Sequence, residues 1–130
     1  MASIFTKIIQ REIPGHIIAE NDDAIAFLDI NPLKEGHTLV VPKKEVDKLF
    51  DLDIESYQNL QAFAYEVAQA IEKAIPCLRV GMAVIGLEVP HAHIHLIPLE
   101  TMDDINFSRP KLSLSQERLS GIAEQIRKAV

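Results

Sequence analysis

The sequence predicts an α+β fold built on a mainly antiparallel sheet. Three observations lead there. Short apolar runs are joined by hairpin-like links, one long amphipathic helix separates the first strands from the last, and another helix closes the chain. No GxGxxG follows a strand and no P-loop pattern occurs, which argues against a Rossmann or P-loop unit.

The elements follow in order. "SIFTKIIQREIP" predicts a short helix with Ser3 as N-cap, ending before Pro14. "HIIAE" and "AIAFLDI" form two strands around the turn-like "NDD", and "NPLKEG" is a loop. "HTLVVP" is a third strand, rich in β-branched residues and ended by Pro42. Next comes the long helix. Tyr57, Leu60, Phe63, Ala64, Val67, Ala68, Ile71 and Ile75 recur at spacings of three and four, with Asp53 as N-cap and Pro76 as the stop. "LRVGMAVIG" and "VPHAHIHLIPL" give two further strands. Ser113 with Gln116 predicts a capping box for the last helix, whose apolar side is Leu119, Ile122, Ala123 and Ile126.

A chain of 130 residues with 48% hydrophobic and 25% charged residues suits one domain, residues 1–130, with one core. The net charge of −6 offers no basic face for a nucleic acid, although a small anionic ligand can still find a local site of opposite sign. Lys7, Arg11 and Glu12 interrupt any signal-peptide core, and no apolar run approaches the ~18–20 residues that cross a bilayer. The single cysteine, Cys77, can form no internal disulfide and is expected to be a small buried thiol. A soluble cytoplasmic protein, with no membrane partner, is the expectation.

Three of the five histidines, His91, His93 and His95, stand at alternate positions of one apolar ribbon. On a strand over 91–97, period-two geometry sends them to one face and Ala92, Ile94 and Leu96 to the other. Three adjacent imidazoles would each need a buried partner and would repel one another if charged, so a purely structural role is poorly served by them. His16 stands alone and is expected to take no part.

One alternative is a metal site. At about 3.3 Å per residue the outer histidines lie roughly 13 Å apart, so an ion could take an adjacent pair but not all three. Its other ligands would be His37 or Glu88, but no CxxC or HExxH pattern supports them, and no cofactor is required. The other alternative is nucleophilic catalysis. Neutral imidazole attacks phosphorus well near pH 7, and neighbouring imidazoles can donate to phosphate oxygens. Flanked on both sides, His93 is the candidate nucleophile.

At these residues the chain resembles the histidine-triad (HIT) family of nucleotide hydrolases and transferases. "HAHIHLI" matches its signature of alternating histidine and apolar residues at every position. "IFTKIIQREIP", "AFLDINP" and "GHTLVVPKK" resemble its N-terminal segments, so the likeness covers residues 3–99 and leaves 100–130 as a C-terminal extension with a helix. The resemblance implies a five-stranded antiparallel sheet, and a homodimer joined through it. The implied activity is cleavage at the α-phosphorus of a purine nucleotide conjugate, such as a nucleoside phosphoramidate, ester or anhydride, through a nucleotidyl-histidine. It implies that His93 is the nucleophile, that His91 and His95 flank it, and that His37 is a fourth site histidine. Asp29 would meet the ribose, and Phe5, Ile8, Ile13, Phe27 and Ile30 would line the base pocket, with Glu88 and Val89 bordering the nucleotide.

The chain departs from that pattern at Leu87, where relatives carry glutamine, and at Leu99, where many carry arginine. Its loop before the triad is also shortened. A nucleotide-binding protein with weak or no catalysis, and a metal-dependent hydrolase, stand as alternatives. Lys43 and Lys44 are expected to be a solvated pair.

Overall fold

The computed structural model describes residues 2–130. Five strands form one antiparallel sheet in the order β1-β2-β3-β5-β4: β1 Ile17–Glu20, β2 Ala24–Leu28, β3 Thr38–Pro42, β4 Arg79–Ala83 and β5 Ile94–Leu99. Helices α1 (Ile4–Ile9), α2 (Ile54–Ala74) and α3 (Gln116–Arg127) complete the α+β architecture. Each strand pair is antiparallel, and α2 carries the chain from β3 over β5 to the edge strand β4.

The local chemistry of each element is readable. Asn21 accepts from the backbone N–H of Asp23 and of Ala24, closing the β1–β2 turn through its side chain. Ser3 caps α1 by accepting from Thr6 N, and Asp53 caps α2 by accepting from Ser56 N. α1 stops at Ile9, short of Pro14, because Arg11 turns into the left-handed region at φ 62°. The last helix is capped by Ser115, not Ser113. Ser115 accepts from Arg118 N, while the side chain of Gln116 turns away to meet His16 Nε2 at 2.8 Å.

The sheet has two differently built faces. Ala24, Ala26 and Leu28 of β2, Val40 of β3, and Ala92, Ile94 and Leu96 pack under α2 and α3 in the main core, with Leu60, Phe63, Val67, Ile71, Leu119 and Ile126. Ile25, Phe27, Leu39 and Val41 face the other way and form a smaller cluster with Phe5 and Ile8 of α1. Because both faces are covered, β2 and β3 are buried at every position and read as continuous apolar runs. The edge strand β4 is the most open, and Leu78, Met82, Val84 and Ile85 around it are exposed. No helix among the described residues is long and apolar enough to cross a membrane.

Candidate active site

The strand that bears the triad begins later than the sequence predicts. β5 starts at Ile94, and residues 91–93 lie outside the sheet, pinned by Ala92 N to Val46 O at 2.6 Å. Alternation survives this, since Ala92, Ile94 and Leu96 all enter the main core. The histidines fall on the face that carries α1.

Each imidazole has a distinct set of partners, and those partners fix its tautomer. His91 is fully buried. Its Nε2 lies 2.8 Å from the Pro42 carbonyl, which can only accept, so Nε2 carries the hydrogen. Nδ1 therefore accepts from the Ser3 hydroxyl at 2.8 Å. Burial holds this imidazole below its ordinary pKa and neutral. With both nitrogens engaged inside the protein, His91 has no donor left for a phosphate.

His93 is set up differently. Its Nδ1 donates to the carbonyl of His91 at 2.7 Å, so the lone pair sits on Nε2. Phe5 meets the ring edge-to-face at 5.0 Å, and the His95 ring lies 4.9 Å away. His95 ends a chain of two bonds. The backbone N–H of Leu33 donates to His37 Nδ1 at 3.0 Å, which leaves the hydrogen on His37 Nε2. That hydrogen is given to His95 Nδ1 at 2.9 Å, so His95 carries its own hydrogen on Nε2. Burial pushes His37 down to about 3 and His95 down to about 4, aided by the neighbouring imidazoles and Lys111. Both are neutral at pH 7.

No buried side-chain nitrogen or oxygen among the described residues lacks a partner. The Nε2 atoms of His93 and His95 make no bond within the described chain, so both reach solvent: a lone pair and an N–H, side by side. That is the equipment for attack on phosphorus and stabilisation of its oxygens.

Gly36 adopts φ +95°, the left-handed turn that feeds His37 into β3, and a Cβ there would press on Ile75 and Pro98 at 3.1 and 3.2 Å. Asp29 closes the site from the end of β2. One carboxylate oxygen accepts from Asn31 N at 2.9 Å and the other lies 3.6 Å from His37 Nε2. Burial raises its pKa, against the opposing pull of that backbone bond.

Asp29, His37 and His95 offer ligand-type atoms within 4.8 Å of one another. Within the group His37 Nε2 donates to His95 Nδ1, with Asp29 3.6 Å from the same nitrogen, so His37 is already committed to its neighbours. Glu88, considered as a ligand from the sequence, is an exposed loop residue outside the group.

Of the residues expected around the base, Phe5, Ile8 and Phe27 meet in the small cluster, with Ile13 and Val89 packed on it. Ile30 is outside it and 55% exposed. Leu87 is exposed and brings no polar group to the site. Cys77 is partly buried, and that burial pushes its thiol up, away from reactivity. Lys43 is paired with Glu20 at 2.8 Å rather than merely solvated.

Three contributors were not legible in the sequence. Glu45 accepts from Ser3 N and from the Thr6 hydroxyl, both at 2.6 Å, and ties the start of α1 to the β3–α2 loop beside His91. Those bonds hold its carboxyl down at about 2. Phe107 lies edge-on to His95 at 4.7 Å and to His37 at 6.2 Å, and Lys111 sits over Phe107.

The fold and the site together define an α+β protein with four histidines gathered against one antiparallel sheet. The HIT domain model matches residues 10–102, and the chain belongs to the HIT family. An uncharacterised HIT-like protein of Borreliella burgdorferi is 34% identical over 131 residues, covering 95% of this chain and 94% of that protein. The adenosine 5'-monophosphoramidase of Schizosaccharomyces pombe is 31% identical over 128 residues, covering 97% and 96%. Among solved structures, a HIT-like protein of Bartonella henselae superposes with TM-score 0.85 at 33% identity, covering 98% of this chain and 96% of that one. At the coarse level these relatives make the chain similar to nucleotide hydrolases.

Proposed function

We propose that the protein hydrolyses nucleoside monophosphate derivatives at the α-phosphorus, with His93 as nucleophile. The carrying observation is the tautomer of His93: its Nδ1 is committed to the His91 carbonyl and its Nε2 lone pair opens to solvent. Attack forms a bond from Nε2 to phosphorus while the bond to the leaving group breaks with its electron pair, and an amine leaving group takes up a proton at the solvent-open site as it departs. The Nδ1–H bond to the carbonyl steadies the imidazolium that results. The His95 N–H faces the phosphoryl oxygens, Asp29 meets the ribose, and Phe5, Ile8, Ile13 and Phe27 take a purine base. Water then releases the nucleoside monophosphate and restores His93.

Relatives named as adenosine 5'-monophosphoramidases support a nucleoside phosphoramidate as one substrate, with phosphate esters and anhydrides as chemically related ones. The exposed apolar edge at β4 supports a homodimer joined through that strand. The single unpaired cysteine is in keeping with a cytoplasmic setting.

The test is His93→Ala against adenosine phosphoramidate, with acid-quench trapping of the labelled nucleotidyl protein. Loss of turnover together with loss of the label supports the reading, and wild-type turnover in the variant ends it. Micromolar AMP binding without any trapped adduct would favour the binding-protein alternative. Activity abolished by exhaustive chelation would favour the metal-dependent one.

A further inference from the structure

The segment after β5 returns across the site as a strap. Arg109 Nη1 donates to the Asp103 carbonyl at 3.0 Å and Leu112 N to the Pro32 carbonyl at 2.8 Å, the latter two residues past Ile30 and close to Asp29. Between these anchors Phe107 packs on His95 and His37, and Lys111 Nζ donates to the Phe107 carbonyl at 2.7 Å while lying 5.7 Å from its ring. The site consequently has two unlike walls. On the α1 side Phe5 touches His93 and His91 and leads into the small apolar cluster. On the strap side the Phe107 ring lies against His95, with the Lys111 ammonium group over that ring.

Lys111 is the cation whose field reaches Asp29, His37 and His95 alike. Nearby Lys34 and Arg109 are neutralised by Glu100, Asp103 and Asp104. Lys111 forms no ion pair among the described residues, although the chain as a whole is acidic. Neutral imidazoles supply hydrogens to the site but no positive charge, and the exposed Leu87 supplies neither.

We propose that the strap over residues 107–111 is a leaving-group subsite, in which Lys111 receives a leaving group that carries its own phosphate. This rests on the α-phosphorus chemistry above. As the bond from His93 Nε2 to phosphorus forms, the phosphorus–oxygen bond breaks and its electron pair leaves with the departing phosphate. The ammonium group offsets that charge without transferring a proton. An amine leaving group carries no such charge and gains little.

The experiment compares two substrates sharing an adenylyl group, one releasing ADP (diadenosine triphosphate) and one releasing ammonia (adenosine phosphoramidate), in wild type, Lys111→Gln and Lys111→Arg. Lys111→Gln is expected to lower kcat/KM about tenfold on the first and less than about twofold on the second, with Lys111→Arg restoring most of the loss. Calorimetry with ADP and with adenosine gives a second reading that needs no turnover: Lys111→Gln weakens ADP alone. Equal loss on both substrates, or unchanged ADP affinity, overturns the inference. A His93→Ala variant as active as wild type would instead overturn the underlying chemistry.

Discussion

The two faces of the sheet are made by the same strands and obey opposite rules. Toward α2 and α3, β5 presents Ile94 and Leu96, which need only shape and apolarity to be satisfied. Toward α1, the same stretch presents His93 and His95, and every polar atom there has an assigned partner or opens to solvent. Adjacent residues serve the two ends. Folding free energy is concentrated on one face, so the other can hold buried imidazoles, which stabilise little by themselves.

Substitutions on neighbouring residues can break this division. The largest effect is expected from His93→Gln, a fall of roughly a thousandfold or more in kcat with folding retained, checked by steady-state kinetics beside circular dichroism. Its neighbour gives the mirror result: Ile94→Ala should cost about 2–5 kcal/mol of stability in denaturant melts while kcat of the folded fraction stays close to wild type. Comparable activity losses in both would erase the distinction.

Acid sharpens it next. His37 and His95 hold their protons only near pH 3 and 4, against 6.5 when unfolded. Between these values the unfolded chain binds more protons than the folded one, so stability is full above pH 6.5 and is lost as pH falls toward 4 and 3. Asp29, raised by burial, acts in the opposite sense just above 3.8. Glu45 below 4.5 and Asp104 below 3.8, both held at about 2, add to the loss. Melting temperatures across this range should flatten between pH 6.5 and 4 in a His37→Asn, His95→Asn double variant.

The smallest effect lies at the join between α1 and the site. Glu45→Gln keeps the size but weakens the acceptor that ties Ser3 and Thr6. KM should rise about three- to tenfold with kcat little changed, and α1 amides should exchange faster in hydrogen–deuterium measurements.

What was legible in the sequence was periodic or local. Period two separates His93 from Ile94, period three-to-four builds α2, and Ser3 and Asp53 cap the helices they precede. Matches to known segments added Asp29 and His37, which no spacing would have joined to the triad. The misplacements are equally local: two serines stand before α3, and only the turn of Gln116 toward His16 decides for Ser115. Glu45 and Phe107 left no signal because their meaning is entirely tertiary. Glu45 meets Ser3 across 42 positions, and nothing in "VPKKEV" announces a partner so distant.

The bond from the Leu33 amide to His37 has a further consequence. A peptide N–H has one hydrogen and no tautomer, so it dictates the order of everything downstream. His37 cannot turn round without stranding that amide, and His95 cannot turn round without stranding His37. The two rings thus behave as a prosthetic length of main chain, carrying a backbone donor out to a place the backbone itself does not reach.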